Sequence, residues 1–398
     1  MPIPAAVESQ KEYLVALREH FHQNPELSMQ EFATAETIER ELAAAGIAHR
    51  RIGETGVLGI LHGGLGGGPC VVLRADIDAL PIQEGEQRPY GSRSAGVMHA
   101  CGHDGHTASL LGAARALARL APTFAGEVRF AFQPGEEIGR GAEDFVAAGV
   151  LQGASRAFGV HMMPGVPVGS VALVPGPTFA SVDKFVLQIT GVGAHVAAPH
   201  LGVDALYVAA QIATGLQAVV ARQTAPQHEV VVGIGTLNAG TAYNIVAQNA
   251  QLQGTVRCFT PEIRQKVLQS IQKIAQSMAE AYGAKAELMV EVITPALINP
   301  PELLAETTAV AAEVVGEGRV VTIPRMLFGD NFAEFLNNCP GFYGLVGTTD
   351  PAVPATALPL HHACFDLLPQ SLLVACGLYT QYALHTLHGG AQKARQQA

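Results

Sequence analysis

The stretch CVVLRADIDALP, residues 70–81, sets a short apolar run directly before charged residues. Such a run is typical of a strand that is buried on both faces. A helical pattern follows at 107–120, and strand-like runs return at 127–132 and 157–160. Strands that alternate with helices predict an α/β domain with a mixed, mostly parallel sheet and helices on both faces.

The pattern changes from about Val182. From there the order is strand, helix, strand, strand, helix, strand, which fits a small α+β insert. We therefore expect an α/β domain of residues 1–181 and 295–398, interrupted by a smaller domain of residues 182–294. The uncharged run 205–221 within the insert is shorter than the ~20 apolar residues of a membrane span, so we predict a buried helix.

Composition excludes several classes of protein. Of the 398 residues, 48% are hydrophobic and 15% charged, which rules out a disordered chain. The net charge of −10 argues against a nucleic-acid partner. The first residues carry charges and form no apolar leader, and the six cysteines are scattered. We therefore expect a cytoplasmic protein with no membrane partner and no disulfide framework.

The densest group of metal-capable side chains is the run MHACGHDGHT, residues 98–107. Thiolate, imidazole and carboxylate groups together are typical of sites for borderline metals such as zinc. The alternative is a free core cysteine beside polar histidines of a loop. From this segment alone both interpretations stay open.

Three further groups follow strand-like or loop segments: the adjacent carboxylates of QPGEE at 133–137, His161, and the pair His361-His362. A lone histidine is more often a loop or core residue than a ligand. Together, however, these groups predict two ions and one spare carboxylate that acts as a general base. Asp76 and Asp78 would then orient ligand imidazoles.

The sequence resembles the di-metal amidohydrolases of the aminoacylase, hippurate hydrolase and indole-acetyl-amino-acid hydrolase group, which belong to a larger metallopeptidase clan. Eight motifs in the same order carry the resemblance across nearly the whole chain. They are residues 73–81, 99–107, 133–137, 161–164, 191–195, 240–244, 254–257 and 360–366.

The resemblance implies a zinc-peptidase-like catalytic domain that binds two divalent ions per subunit. Mn²⁺ or Zn²⁺ is expected first, and Co²⁺ or Ni²⁺ is also possible. By position, Glu136 matches the general base. The residues that match the metal ligands are Cys101, His103, Glu137, His161 and His361.

The resemblance also makes the insert a lid and dimerisation domain, so we expect a homodimer or a higher homo-oligomer. His195 matches a lid histidine that helps to stabilise the oxyanion, commonly in the partner subunit's active site. Asn244 and Arg257 match residues that contact the substrate. The alternatives are an ordinary lid salt bridge for Arg257 and a loop residue without a catalytic part for His195.

The chain departs from the usual motifs at several positions. Ala194 and Ala363 replace Gly and Pro, and Leu367-Leu368 replaces Asn-Asp. Asp330-Asn331 stands where Glu-Asp is usual, in a region expected near the substrate. None of these changes removes a predicted ligand or the predicted base.

The predicted activity is hydrolysis of the amide bond of an N-acyl amino acid, or a related N-acyl amine, by a metal-bound hydroxide with Glu136 as general base. The alternatives with the same site are a dipeptidase or carboxypeptidase, and a hydrolase that releases ammonia. A non-catalytic metal-binding homologue is the alternative from a different class.

Overall fold

The computed structural model describes residues 5–85 and 88–397 and divides into two compact units. The first unit comprises the described residues up to Gly176, the segment Ile298–Pro324, and the chain from Asn331 onward. The second comprises Pro177–Leu297 and Arg325–Asp330. Residues 1–4, 86, 87 and 398, which the predicted first domain includes, lie outside the described residues.

Segment 325–330 differs from the predicted boundaries, which place it in the α/β domain. It belongs to the second unit because its backbone and side chains pack there. The backbone N–H of Ala180 donates to the carbonyl oxygen of Phe328 at 2.8 Å. The rings of Phe179 and Phe328 also contact each other, with centroids 6.3 Å apart.

The strands and helices follow in chain order. The strands are β1 Ala48–Ile52, β2 Gly56–His62, β3 Cys70–Asp76, β4 Glu127–Gln133, β5 Arg156–Pro167, β6 Val171–Ala172, β7 Gly176–Phe179, β8 Ser181–Thr190, β9 Val230–Ala239, β10 Asn249–Cys258, β11 Lys285–Thr294, β12 Leu297–Asn299, β13 Val320–Val321 and β14 Gly341–Thr349. The helices are α1 Ala5–Glu8, α2 Lys11–Gln23, α3 Phe32–Ala44, α4 His103–Leu120, α5 Ala142–Ala147, α6 Ala205–Gly215, α7 Gln217–Gln223, α8 Pro261–Ala281, α9 Leu304–Val315, α10 Phe332–Asn338 and α11 Pro369–Gln397.

The first unit is built on an eight-stranded mixed sheet with the order β1-β2-β4-β3-β5-β14-β6-β13. Its central strands β4, β3, β5 and β14 are parallel, whereas β1 and β2 pair antiparallel at one edge. All residues of β3 are buried, because this strand lies in the middle of the sheet between β4 and β5. Buried side chains of α2, α3, α4, α9 and α11 complete the core. The predicted α/β class is confirmed.

The second unit has an antiparallel sheet with the order β11-β8-β10-β9. The predicted order of its elements is confirmed, but the single buried helix predicted at 205–221 is wrong. The helix divides at Leu216 into α6 and α7. Ala205, Val208 and Ile212 pack into the core of the unit, while Leu206 lies on the exposed side. The helix pair is long and apolar enough to cross a membrane by length and composition alone.

The topology gathers the chemically interesting residues at one edge of the first sheet. Asp76 ends β3 opposite Gln133, which ends the parallel strand β4. Strand β5 carries His161 on the other side of β3. Carboxyl ends of parallel strands are where open α/β sheets bind ligands.

Candidate metal centre

Six side chains with sulfur, nitrogen or oxygen donors converge at this sheet edge. They form three overlapping groups in which the donor atoms lie within 4.8 Å of one another. The groups are Cys101, His103 and His161; Cys101, Glu137 and His361; and His103, Glu136 and Glu137. The structure therefore brings together the five predicted ligands and the predicted base.

Glu137 lies at the middle of the cluster. Its Oε1 is 3.9 Å from Nε2 of His103, and its Oε2 is 3.4 Å from Nε2 of His361. Cys101 Sγ lies 3.5 Å from Nε2 of His161. Glu137 thus faces two imidazoles with its two oxygens, and both Glu137 and Cys101 would be available as ligands of a bound ion.

The backbone places Cys101 and His103 two residues apart at the start of α4. Gly102 between them has φ 95°, a left-handed conformation that favours glycine. A Cβ at this position would also lie 3.2 Å from the Cβ of Met162, next to His161. The glycine therefore lets the thiol and the imidazole both approach β5.

Asp78 fixes two of the predicted ligands. Nδ1 of His103 lies 3.2 Å from Oδ1 of Asp78 and 3.0 Å from its carbonyl oxygen. The backbone N–H of Glu137 and the hydroxyl of Ser28 donate to Oδ2 of Asp78, at 3.0 and 2.7 Å. Because Nδ1 is used in this way, Nε2 of His103 is the nitrogen that faces the cluster.

Asp76 bonds most closely to an imidazole that is not among the predicted ligands. It contacts Nε2 of His103 only at 3.7 Å, and it bonds Nδ1 of His106 at 2.5 Å. The backbone N–H of Met162 donates to Nε2 of His106 at 2.8 Å. Both ring nitrogens of His106 are therefore used by the protein, and this histidine holds the strand segment beside His161. Sequence reasoning missed it, although it lies one helical turn after His103.

Two buried atoms indicate that the cluster fits a metal ion. Among the described residues, eight buried side-chain nitrogen or oxygen atoms make no hydrogen bond, and two of them, Nε2 of His103 and Oε1 of Glu137, face each other at 3.9 Å. Buried polar atoms without a partner are costly and rare in native proteins. A bound cation would satisfy both atoms, and the set of thiol, imidazole and carboxylate donors suits Zn²⁺, Mn²⁺, Co²⁺ or Ni²⁺.

The electrostatics of the cluster follow from its burial. Burial raises the pKa of the Cys101 thiol well above its usual value, so metal binding has to displace this proton. Burial, together with the neighbouring His106, holds the pKa of His161 well below its usual value. The Nδ1–H of His161 donates to the carbonyl oxygen of Met162 at 2.7 Å. Its neutral Nε2, which lies 3.5 Å from Sγ of Cys101, is therefore the nitrogen that would act as a ligand.

Asp76 stays ionised in this buried setting. Burial favours its protonated form, but the imidazoles of His103 and His106 and the guanidinium of Arg74 hold its pKa well below the usual value. Conversely, burial disfavours a charged His103, but Asp76 and Cys101 raise the pKa of this imidazole. The carboxylate charge at the end of β3 is thus balanced within the protein.

The remaining polar residues of the run 98–107 point elsewhere. Asp104 accepts hydrogen bonds from Nε of Arg18 at 2.9 Å and from Nδ1 of His22 at 2.7 Å, so it fastens α4 to α2. His99 is buried, and burial lowers its pKa to about 4. Neither residue belongs to the convergent groups.

His361 reaches the cluster from a loop. Its φ of 66° lies in the left-handed region, and its backbone N–H donates to the carbonyl oxygen of Ala100 at 2.8 Å. Asp366 anchors the same loop by accepting from Nη2 of Arg18 at 2.8 Å and from the hydroxyl of Tyr90 at 2.7 Å. Leu367, one of the departures, is buried, so an apolar side chain suits this position.

The predicted lid residues lie in the second unit. His195 is exposed and forms an isolated β-bridge with Ile245, and the backbone N–H of Val196 donates to the carbonyl oxygen of Asn244. His195 and Asn244 therefore occupy adjacent loops. Arg257 lies on β10, where it is half-buried, and its Nη1 donates to the carbonyl oxygen of Leu327 at 2.9 Å.

Comparisons with known proteins identify the family of this chain. Residues 72–385 match peptidase family M20/M25/M40. An N-acetylcysteine deacetylase of Bacillus subtilis is 38% identical over 94% of this chain and 97% of its own. Thermostable carboxypeptidase 2 of Saccharolobus solfataricus is 36% identical over 85% of this chain and 86% of its own.

A solved structure of a Bacillus subtilis protein, described as a dinuclear metal-binding peptidase from the M20 family, is 36% identical. The match covers 96% of this chain and 99% of that chain, with a TM-score of 0.81. The resemblance to metal-dependent amidohydrolases is confirmed, and the non-catalytic alternative is set aside. This chain belongs to peptidase family M20/M25/M40 and is a hydrolase that acts on amide bonds.

Proposed function

We propose that the chain hydrolyses the amide bond of an N-acyl amino acid or a related N-acyl amine, with two divalent ions per subunit and Glu136 as general base. The proposed ligands are Cys101, His103, Glu137, His161 and His361. The name of the deacetylase relative supports this class of substrate. The main support for a metal centre is that Nε2 of His103 and Oε1 of Glu137 are buried without a hydrogen bond.

Ions bound here would supply Lewis acidity, which polarises a carbonyl group and lowers the pKa of water. The protein's own residues do the rest. Asp78 orients His103 and Glu137 through the contacts described above. Glu136 lies within reach of His103 and Glu137 and is the carboxylate of the cluster that is not among the five proposed ligands. We assign it the transfer of a proton from the attacking water to the leaving nitrogen.

The second unit supplies the remaining roles. We assign His195 the stabilisation of the oxyanion, in the partner subunit's site, and Asn244 and Arg257 contact with the substrate. A guanidinium suits the free carboxylate of an amino acid because it can form two parallel hydrogen bonds. The exposure of His195 and Asn244 on adjacent loops supports a joint role.

The same unit is the proposed dimer interface. Leu206 and Tyr207 on α6 leave apolar surface exposed, which a second copy of the unit would cover. Light scattering should give at least a dimer, and a fully active monomer would contradict this part of the proposal. All six cysteines are free, which supports a reducing, cytoplasmic location.

The test is amine release from a panel of N-acyl amino acids, amino-acid amides and dipeptides, with Mn²⁺ or Zn²⁺ and with a chelator. We expect chelator-sensitive cleavage of N-acyl amino acids, and E136Q should lower kcat by about 10²–10⁴-fold with the metal retained. Full turnover of E136Q contradicts the mechanism. Preference for peptides over acylated amino acids favours the second candidate, a carboxypeptidase, which the Saccharolobus relative supports.

A further inference from the structure

Asn331 lies where the chain re-enters the first unit after Arg325–Asp330, directly before helix α10. It is 2% exposed. Its backbone N–H donates to Oε1 of Glu136 at 3.4 Å. A residue far along the sequence therefore touches the carboxylate to which we assign the proton transfer.

The side chain of Asn331 is held on both sides. Its Oδ1 accepts from Nη2 of Arg74 and from Nε2 of Gln133, each at 2.9 Å. Its Nδ2 donates to the carbonyl oxygen of Arg140 at 2.8 Å. An amide meets this environment because it combines an acceptor with two donors, whereas a carboxylate offers acceptors alone.

This arrangement goes against the local preference of the residue. Asparagine is among the best N-cap residues, and Asn331 is the N-cap position of α10. Its side chain nevertheless makes no capping hydrogen bond and turns to Arg74 and Gln133 instead. Positions where a local rule is broken in favour of a buried network are expected at functional sites.

The network that Asn331 joins reaches the predicted ligands. Arg74 is buried and bonds Oδ1 of Asn331, Oε1 of Gln133 at 2.9 Å and Oδ2 of Asp76 at 2.6 Å. Asp76 holds His106, which in turn holds the backbone beside His161. One buried chain of hydrogen bonds therefore runs from the base to the ligand side of the centre.

We propose that Asn331 is a positioning residue that sets the carboxylate of Glu136 relative to the metal ligands. Its backbone N–H contacts the carboxylate of Glu136. Its side-chain amide bonds Arg74 and so holds that N–H in place relative to the Arg74–Asp76 ion pair. The inference rests on the proposed function, in which Glu136 is the general base. It also gives the departure at Asn331 a role in the rate of the reaction, separate from the choice of substrate.

Asn299 provides a matched control in the same unit. It is also a buried asparagine, with Nδ2 donating to the carbonyl oxygens of Val174 and Tyr343 at 2.9 and 3.0 Å. Its Oδ1 accepts from the backbone N–H of Tyr343 at 2.7 Å. The variants N331A and N299A each remove a buried, fully bonded amide. Only N331A, however, breaks the hydrogen-bond network that contacts Glu136.

The experiment compares kcat, KM and bound metal for wild type, N331A, N331D and N299A, with the N-acyl amino acid that wild type cleaves fastest. We expect N331A to lower kcat by about 10- to 100-fold, as for a misplaced catalytic group, with KM and metal content unchanged. N331D keeps an acceptor towards Arg74 and Gln133 and should recover part of the lost kcat. N299A should keep the kcat of wild type per folded molecule.

Equal kcat for N331A and N299A would overturn the inference. So would a loss of metal by N331A in proportion to its loss of kcat, or a kcat of N331D no higher than that of N331A. E136Q separates this failure from that of the proposed function. If E136Q is inactive while N331A is fully active, only the role of Asn331 fails. If E136Q is fully active, the proposed function itself fails.

Discussion

His103 and His361 are both predicted ligands of one centre, but the protein holds them in different ways. The side chain of His103 is 0% exposed, and Asp78 bonds its Nδ1. The side chain of His361 is 49% exposed and lies on a loop with a left-handed backbone. His103 and Asp78 belong to a buried part of the centre that folding alone assembles at the carboxyl ends of the strands, and we call this part the sheet-borne half. His361 belongs to the loop-borne half, which lies at the surface.

Because of this difference, stability and metal binding should be separable in this protein. The sheet-borne half contains the buried carboxylates Asp76 and Asp78 and the buried cation Arg74. Removing one member of such a set leaves an uncompensated charge inside the protein. Removing an exposed ligand on a loop leaves no such charge, so it should affect the metal and little else.

The largest effect is expected for D76N in the metal-free protein. It leaves the buried guanidinium of Arg74, now 2.6 Å from Oδ2 of Asp76, without its charged partner. We expect the free energy of unfolding to fall by about 3–5 kcal/mol. Urea unfolding followed by circular dichroism measures the change.

The control for D76N is E39Q, which breaks the partly exposed pair of Arg51 and Glu39. Exposed pairs contribute about 0–1 kcal/mol, so E39Q should unfold almost as wild type does. If D76N cost no more than E39Q, the buried half of the centre would not depend on its charge pair.

Removal of metal should have the next largest effect. With free Zn²⁺ or Mn²⁺ at 100 times its dissociation constant, we expect the free energy of unfolding to exceed that of the chelated protein by about 2.7 kcal/mol. The chelated protein should still give a native circular dichroism spectrum and a cooperative transition. An unfolded chelated protein would mean that the metal, and not the fold, builds the sheet-borne half.

Asp366 anchors the loop that carries His361, and its contribution to the free energy of unfolding should depend on pH. Burial favours its protonated form, but Arg18 and the hydroxyl of Tyr90 hold its pKa below the usual value. A depressed pKa contributes stability above the unfolded-state pKa, near 3.8, and this contribution is lost as the pH falls below it. We expect D366N to cost about 1.5 kcal/mol at pH 7 and less at pH 3.

The test for Asp366 is urea unfolding of wild type and D366N between pH 7 and pH 3. The two curves of stability against pH should converge towards low pH. Parallel curves would show that the carboxylate of Asp366 contributes equally in both protonation states. The loop would then be anchored by other contacts, such as that of Arg88 with the carbonyl oxygen of Phe365.

The sequence was sufficient where a motif directly follows a strand. The apolar run 70–73 predicted β3, which extends to Asp76 in the structure, and the carboxylates after β4 and the histidine on β5 then had to meet at one edge. The sequence also predicted that Asp78 orients a ligand imidazole but did not specify which one; in the structure Asp78 bonds Nδ1 of His103. These predictions succeed because a parallel sheet converts positions along the sequence into neighbouring strand ends.

The role of His106 could not be predicted from the sequence, because its partner is distant and provides a backbone group. The backbone N–H of Met162 lies 56 residues away along the chain. The role of Asn331 also depends on a distant partner, because its side chain accepts from the guanidinium of Arg74, 257 residues away along the chain. Likewise, the apolar run 205–221 reads as one buried helix, but its composition does not specify the division at Leu216 or the exposed side.

The smallest change in stability, and the sharpest test of the comparison, is expected for H361A beside H103A. In the chelated protein H361A should alter the free energy of unfolding by no more than about 0.5 kcal/mol, since the side chain is half exposed. H103A should cost about 1–3 kcal/mol, because it leaves buried oxygens of Asp78 without a donor. Both should lose bound metal, which elemental analysis of the purified variants measures. Equal destabilisation by the two variants would contradict the comparison, because the loop would then be as much a part of the folded core as the start of α4.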